Sequence, residues 1–536
     1  MSTACILLVS INARYGHCAF AARSLLANLG PLRERADLLE TDLDVQPFQL
    51  AAEIVGRLAM ERRAGFPARL SQCGGLKNPS SGDESSMPCV VGFSVYLWNV
   101  GIVRETLAVL RRIAPQLHIV LGGPEIVAEC AAEWRGLADV LVVGEGEAAF
   151  RVICKEMAPV RGAGRNACPL LSSGHAGPTV LSAPLAHPPA AVSAPPRLIL
   201  AAPENLSQLA LPYDLYTDAD IAHRTIFVEA SRGCPFQCAY CTSCGTKLRT
   251  FPLDTLLPAL DLLLERGVRA LRFLDRSLNA SEKLACGLLD FFLARHPARL
   301  QLHFEIMPCR LGGPLQQRLA SFPPGTLHLE VGVQTLHEAA ARGVGRTVAN
   351  DMLLETLRFL SCETRATVHA DLIFGLPGED EATFAAGFDR LVRAFDFPEL
   401  QVNLLKRLPG TLLAREPRFA GLIFNPHPPY ELLASDVLDF AAVSRLQQFA
   451  RCWELVHNRG HFPRAAALLW QAGDASPFQR YRALAERIHA AEGRIHALGM
   501  ARLSGHVAQF LQTDCGLSAA EAHAAIAAEK ANASNG

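Results

Sequence analysis

The chain has 536 residues, with 51 Lys plus Arg against 52 Asp plus Glu, and its net charge of −1 excludes a global basic field for nucleic acid or anionic lipid. Half of the residues are apolar and 19% are charged, so wholesale disorder is excluded and the length predicts three to four domains at about 150 residues each. No apolar run approaches the ~18 residues of a membrane helix, and Ala4 to Val9 is too short, without a basic flank, for a secretory signal.

A cytoplasmic location without membrane association is therefore expected. There, sixteen cysteines point to metal binding or buried small hydrophobes rather than a disulfide framework.

Residues 1–157 alternate short β-rich runs with helical patterns: Cys5 to Ser10, Asp37 to Glu40, Val90 to Tyr96, Ile119 to Gly122 and Asp139 to Val143 read as strands. This alternation predicts a parallel α/β sheet. Residues 64–88, rich in Gly, Ser and Pro, read as a surface insertion. Residues 158–200 read as a disordered linker, because 159–196 holds eight prolines, two arginines and no acidic residue.

A second alternating series predicts strands at Ile226 to Ala230, Ala270 to Leu274, Leu300 to Ile306, Leu327 to Val333, Val368 to Phe374 and Leu400 to Leu405. Six strands within 220–408 imply an open βα-barrel that reacts at its strand C-terminal ends. Residues 409–536 read as a mainly helical C-terminal domain.

The strongest chemical signal is Ser231-Arg-Gly-Cys-Pro-Phe-Gln-Cys-Ala-Tyr-Cys241, directly after the first barrel strand. Cys234, Cys238 and Cys241 stand in CxxxCxxC spacing, which lets one short loop turn three thiolates onto one cluster. A four-iron cubane held by three cysteines leaves one iron open to another ligand. Zinc is the competing reading, since Cys244 adds a further CxxC with Cys241; three unconnected buried thiols are the third.

The loop position, the Arg-Gly entry and Tyr240 before the third cysteine resemble the radical S-adenosylmethionine (SAM) superfamily. The resemblance implies a 4Fe-4S cluster on Cys234, Cys238 and Cys241 and a SAM bound by its open iron, with Cys244 a bystander. It also implies SAM contacts at the other strand ends. Asp275 and Arg276 lie in Phe273-Leu-Asp-Arg-Ser-Leu-Asn279, where Asp275 would replace the carboxylate that meets the methionine amine. Glu305 ends the third strand, Gln334 the fourth in Gly332-Val-Gln-Thr335, and Gly375 lies in Asp371-Leu-Ile-Phe-Gly-Leu-Pro-Gly-Glu379. Singly, each carboxylate could be a solvated cap and each glycine a turn; their order, one per strand end, favours the cofactor reading.

The first domain carries Gly92-Phe-Ser-Val-Tyr-Leu-Trp98, Leu121-Gly-Gly-Pro124 and Val143-Gly-Glu-Gly-Glu147 at its third, fourth and fifth strands. Small residues at strand ends admit a large planar ligand, and an open α/β sheet binds at its switch point. Ahead of such a barrel, this resembles the cobalamin-binding domain of cobalamin-dependent radical SAM enzymes. Asn12, Ser94, Gly122, Gly123, Gly144, Glu145 and Gly146 would then face the corrin. The cobalt-ligating DxHxxG motif is missing: Asn12 and Arg14 stand where its Asp and His would, and His17 reads as orienting the loop.

The opening Ile11-Asn-Ala-Arg-Tyr-Gly-His17 and the later segments resemble an uncharacterised branch of that family with a helical C-terminal domain of unknown function. The implied architecture is α/β: a Rossmann-like cobalamin-binding-type domain, a partial (β/α)6 radical SAM barrel and a mainly α C-terminal region. The implied function is a cobalamin-dependent methyltransferase acting on an unactivated carbon, with a flavodoxin or ferredoxin as electron donor. The alternatives are rearrangement, cyclisation or oxidation without methyl transfer; RNA methylthiolation; and a non-catalytic iron–sulfur or cobalamin-binding sensor. Nucleic acid is not expected as a partner. The substrate and the catalytic residues are not readable.

Overall fold

The computed structural model describes residues 5–63, 89–157, 179–180, 195–295, 299–309, 311–395, 397, 399–471 and 476–533. It divides into two compact units, Met1–Val228 with Asp254–Ala270, and Glu229–Leu253 with Leu271–Gly536. The expected insertion at 64–88 and most of the expected linker lie outside the described residues.

In the first unit the alternating pattern folds as a sheet of β1 (Ile6–Asn12), β2 (Ala36–Asp42), β3 (Val90–Ser94), β4 (His118–Gly122), β5 (Val140–Val143), β6 (Thr179–Val180) and β7 (Arg197–Leu200). The strand order is β2-β1-β3-β4-β5-β7-β6, parallel except for β6 against β7. Every residue of β1 is buried, as a central strand covered on both faces requires. Leu7, Val9 and Ile11 enter one core, and Ile6 and Leu8 the other. The chain reverses direction through the sheet between β1 and β3, which makes their carboxyl ends the topological switch point.

Arg197–Leu200, expected as the end of the linker, is a strand instead. Its Leu-Ile-Leu run pairs parallel with β5, Leu141 beside Leu198 and Val143 beside Leu200, and Ile199 is buried. A four-residue strand placed after a proline-rich stretch is invisible to composition. Beyond it, β8 (Ile226–Val228) closes the chain segment of the first unit.

In the second unit, β9 (Ser231–Arg232) and β10 (Arg249–Thr250) pair antiparallel and bracket the cysteine loop. The series then continues as β11 (Ala270–Phe273), β12 (Gln301–Ile306), β13 (Leu327–Gln334), β14 (Thr367–Phe374) and β15 (Glu399–Leu404), which neighbour one another in chain order. β13 alternates strictly: Leu327, Leu329, Val331 and Val333 are buried, while His328, Glu330, Gly332 and Gln334 share the other, partly accessible face. Across that polar face His303 meets Glu330 at 3.0 Å, Arg272 meets Glu330 at 3.1 Å and His369 meets Glu399 at 2.9 Å.

The C-terminal residues begin with the short antiparallel pair β16 (Ile423–Phe424) and β17 (Leu432–Ala434) and continue as helices. They do not form a unit of their own. Phe388, on the barrel helix Glu381–Ala394, packs edge-on against Phe449 and Trp453 of the helix Phe440–Trp453, with ring centroids 5.0 and 4.8 Å apart. Phe478, from the helix Pro477–Glu492, packs 4.5 Å from Phe449. One aromatic core therefore serves barrel and C-terminal helices alike. Among the described residues no helix is long and apolar enough to cross a membrane.

Candidate functional site

The loop between β9 and β10 carries the cysteine trio. Cys234 and Cys238 are buried, Cys241 is half-buried, and all are free thiols. Backbone bonds fix the loop: Cys234 N–H donates to Thr246 Oγ1 at 2.9 Å, Cys241 N–H to Cys238 O at 3.0 Å, and Ala239 N–H to Val344 O at 2.8 Å. Burial pushes the Cys234 and Cys241 thiols up, and the nearby Arg276 guanidinium opposes it in both. Their thiolates therefore need further positive charge, which a bound metal centre provides.

Among the described residues no three His, Cys, Asp or Glu side chains converge as the ligands of one ion do. A cubane spreads its cysteines over separate irons, whereas a structural zinc needs four ligands at one point. The Cys244 thiol points instead to Gln237 Oε1 at 3.8 Å. Three thiols on one fixed loop, with a cation beside two of them, fit a three-cysteine iron–sulfur cluster.

Asp275 sits differently from the expected SAM contact. It is 1% exposed, its Oδ2 accepts Ala230 N–H at 2.9 Å, and its Oδ1 accepts the Ser231 hydroxyl. Both oxygens hold the backbone from which the cysteine loop departs, so Asp275 is a positioning residue. Burial still pushes its carboxyl up to about 6, against those two hydrogen bonds. Asn279 ties the same turn to the end of β12, accepting Met307 N–H at 2.9 Å and donating to Met307 O at 2.6 Å. Arg276 is exposed, and its charge acts on Cys234, Cys241 and Glu305, which places the two expected SAM residues Arg276 and Glu305 near the cysteines.

Glu305, half-buried, is pushed up to about 7 by burial, with Arg276 opposing and Glu330 reinforcing the shift. Gln334 has φ +70° at a break in the β13–β14 register, a left-handed conformation that a non-glycine residue holds at a cost. The bulge aims this residue away from the regular ladder. Gly375, also left-handed, turns the chain after β14 and has no room for a side chain, since a Cβ there would lie 2.5 Å from Leu432. Tyr240, half-buried, lies near Cys238 and Arg346, and burial pushes its phenol well up.

Arg346 was not visible in the sequence. It is 5% exposed, donates to Gly332 O, and its Nη1 lies 3.8 Å from the Cys238 sulfur. It lies twelve residues beyond Gln334 with no motif around it, and only the packing of the loop beneath the cysteines brings it there.

At the switch point of the first unit, Asn12 Nδ2 donates to Glu40 Oε1 at 3.0 Å and to His17 O at 2.9 Å, and its Oδ1 accepts the Ser10 hydroxyl. Asn12 thus shapes the loop after β1 and has no amide hydrogen left for a ligand. His17 packs edge-on against Phe227 with centroids 5.3 Å apart, its backbone bridging Thr225. Ser94 ends β3, and its carbonyl accepts Asn99 Nδ2 at 3.1 Å; the same amide also donates to Ile11 O at 3.1 Å. Asn99, fully buried and unnoticed in the sequence, staples the carboxyl ends of β1 and β3 together.

Two of the glycines expected to admit the corrin are required by packing within the protein. At Gly123, φ +107°, a Cβ would lie 2.5 Å from Val95 O; at Gly144, φ +102°, it would lie 2.7 Å from Ala201 O. Close backbone approach inside the protein requires both. A Cβ on Gly146 would meet Leu25 at 3.1 Å, and one on Gly122 would make only ordinary contact with Val142. Glu145 accepts Glu204 N–H at 3.0 Å. What does face outward there is aromatic: Trp98 is 46% exposed and stacks on Tyr96, centroids 4.4 Å apart and 7° from parallel.

Residues 84–153 match the B12 binding domain family, and residues 420–525 match a protein family of unknown function, DUF4080. The chain is 26% identical over 216 residues to a tRNA-2-methylthio-N(6)-dimethylallyladenosine synthase from Acinetobacter baylyi, an alignment covering 37% of this chain and 43% of that protein. It therefore spans well under half the length of that curated relative.

Among solved structures, the radical SAM methyltransferase TsrM from Kitasatospora setae, with cobalamin and a 4Fe-4S cluster bound, aligns with TM-score 0.53 and 18% identity, covering 92% of this chain and 99% of that one. The cobalamin-dependent SAM radical enzyme OxsB aligns with TM-score 0.59 and 12% identity, covering 96% and 80%. At these identities the likeness is one of fold.

Proposed function

We propose that this chain, in which a B12-binding domain is joined to the fold of cobalamin-dependent radical SAM enzymes, is itself such an enzyme and transfers a methyl group to an unactivated carbon. The observation that carries the reading is the cysteine loop: three thiols between β9 and β10, pinned from below by Asp275 and attended by the charges of Arg276 and Arg346. When bound, the cluster supplies the electron that cleaves SAM to a carbon radical, and cobalamin supplies a carrier for the methyl group.

The chain's own residues hold and shield these groups. Cys234, Cys238 and Cys241 bind the cluster, and Arg346 donates toward the Cys238 sulfur. Arg276 and Glu305, whose charges both act on Cys241, would orient SAM beside the cysteines. Glu305, at about 7, sits between its two protonation states at neutral pH and can accept or donate a hydrogen bond to SAM's polar groups. The B12-binding domain carries the corrin at the β1/β3 switch point. A flavodoxin or ferredoxin is the proposed source of the electron.

A second reading, radical chemistry without methyl transfer, draws support from the fold shared with OxsB, a cobalamin-dependent SAM radical enzyme. RNA methylthiolation draws support from the tRNA-modifying relative. Enzymes of that kind would need a second cysteine-bound cluster in the first domain, and among the described residues Cys5 and Cys154 face one core of the first unit while Cys89 faces the other.

The test is anaerobic. The chain is reconstituted with iron, sulfide and cobalamin, reduced, and given SAM carrying a labelled methyl group. Iron near four per chain, corrinoid absorption and 5′-deoxyadenosine support the machinery, and label in a product separates methyl transfer from the second reading. Iron and SAM cleavage without bound corrin would end the methyltransferase reading.

A further inference from the structure

The turn at Gln334 is held in a way that strand pairing does not require. Thr335 N–H donates to Val333 O at 2.9 Å around Gln334 with its φ of +70°, which makes residues 333–335 a γ-turn of the rare, strained hand. The Gln334 carboxamide folds back over Gly332, where a Cβ would lie 2.6 Å from Gln334 Nε2 and 3.8 Å from Arg346 Nη2. Arg346 donates to Gly332 O, and its Nη1 lies 3.8 Å from the Cys238 sulfur. The turn therefore sets the carboxamide on the same side of Gly332 as the cation that attends the cysteines. Strain of this kind persists only where the surrounding structure enforces it.

What enforces it is Glu379, on the turn after β14. Its Oε1 accepts the Thr335 hydroxyl at 2.5 Å, and the same hydroxyl oxygen accepts His337 N–H at 2.8 Å, so the residue after Gln334 is clamped from both sides. Thr335 is 4% exposed and Glu379 2%. Glu379 is fixed in turn. Its N–H donates to Leu376 O at 3.1 Å, and the next residue, Asp380, caps the helix Glu381–Ala394 by accepting Thr383 N–H at 2.8 Å. The Glu379 Oε2 has no hydrogen-bond partner among the described residues, and burial pushes the carboxyl up to about 7, with Thr335 opposing and Asp380 reinforcing the shift. A buried carboxyl with one idle oxygen destabilises a fold that a leucine would pack at less cost. Holding Thr335 accounts for its presence.

We infer that Glu379 is a positioning residue for SAM, acting through Thr335 to hold the strained turn that presents the Gln334 carboxamide. This rests on the reading above that SAM lies beside the cysteines, with Gln334 as its contact from β13, and adds the buried residue on which that contact depends.

The full chain, reconstituted anaerobically with iron and sulfide, would be titrated with labelled SAM by equilibrium dialysis, with iron per chain and thermal midpoint measured alongside. Gln334→Ala and Glu379→Leu should each bind SAM about tenfold more weakly than wild type, the scale of one lost hydrogen bond, at unchanged iron content. Glu379→Gln, whose side-chain carbonyl still accepts the Thr335 hydroxyl, should restore wild-type affinity. The double variant Gln334→Ala/Glu379→Leu should bind no more weakly than Gln334→Ala alone, because both substitutions act through one contact. If Glu379→Leu does not fold, Thr335→Val takes its place in every comparison, since it deletes the hydroxyl from the same clasp.

A glutamate that only supports the fold would lower the thermal midpoint and leave SAM affinity unchanged. Wild-type affinity in Gln334→Ala or in Glu379→Leu, equal losses in Glu379→Gln and Glu379→Leu, or additive losses in the double variant would each overturn the proposal while leaving SAM binding intact. Iron-loaded wild type that takes up no SAM would instead overturn the reading on which it rests.

Discussion

Asn458 and Leu400 exchange two hydrogen bonds: Leu400 N–H donates to Asn458 Oδ1 at 3.1 Å, and Asn458 Nδ2 donates to Leu400 O at 3.1 Å. Leu400 belongs to β15, the terminal strand of its sheet, whose outward backbone groups would otherwise lack a ladder. The indole of Trp453 donates to the same carbonyl at 2.7 Å. One π-helical turn, Glu454–Asn458, widens the helix at this point and brings the amide to the strand. The C-terminal helices therefore act as the missing neighbour of β15.

Replacing Asn458 with Ala removes both bonds and leaves a buried N–H unpaired. We expect a loss of about 1–3 kcal/mol in stability, read as a lower midpoint in urea with an unchanged slope. An unchanged midpoint would mean that water replaces the amide without cost.

Asp275→Ala leaves the Ala230 N–H and the Ser231 hydroxyl without their acceptor in a site that is 1% exposed. The cysteine loop should lose its anchor, so reconstituted protein should carry markedly less iron and sulfide per chain at unchanged helical content. Ser231→Ala should be milder, because only one bond is lost. Full iron loading in Asp275→Ala with impaired SAM affinity would return Asp275 to the role that its place in the sequence suggests.

That reassignment shows where sequence reading stops. The strands announced themselves through β-rich runs alternating with helical patterns, and the cysteine loop through spacing, because both are short-range patterns. Asp275 was visible as a carboxylate after β11, but its partners lie 44 and 45 residues earlier. The glycine pairs at 122–123 and 144–146 were equally visible, yet what Gly123 and Gly144 make room for is the backbone at Val95 and Ala201. Arg346 and Asn99 had no motif at all; each acts by reaching another segment. The shared core of Phe388, Phe449 and Phe478 likewise joined what composition had separated.

The two readings of the cysteines separate by single substitution. Ala at Cys234, Cys238 or Cys241 should each abolish the cluster's visible absorption and most of the iron, since a three-cysteine site has no spare ligand. Cys244→Ala should retain both, because its thiol points to Gln237. Equal loss in all four variants, with zinc rather than iron recovered from wild type, would favour a structural zinc site.

The polar strand face predicts a pH effect of known sign. Asp371 is 9% exposed, its Oδ1 has no hydrogen-bond partner among the described residues, and its carboxyl is pushed up to about 8 by burial first and then by Glu330, Glu305 and Glu399. An unfolded aspartate titrates near 3.9. Between those values the native state holds a proton that the unfolded chain has released, so this residue's contribution to stability is fully present below about pH 4 and is lost progressively up to about pH 8. Glu330 and Glu399, held below their ordinary values chiefly by His303 and His369 against the cost of burial, work in the opposite direction, so the whole protein's curve mixes signs. The comparison with Asp371→Asn isolates one term, because the amide is neutral throughout. The variant should gain stability relative to wild type as the pH rises from 4 to 8, by more than about 1 kcal/mol, the equivalent of one pKa unit. Thermal midpoints measured in parallel across that range would show two diverging curves; curves that stay parallel would mean that Asp371 is ionised in the folded protein.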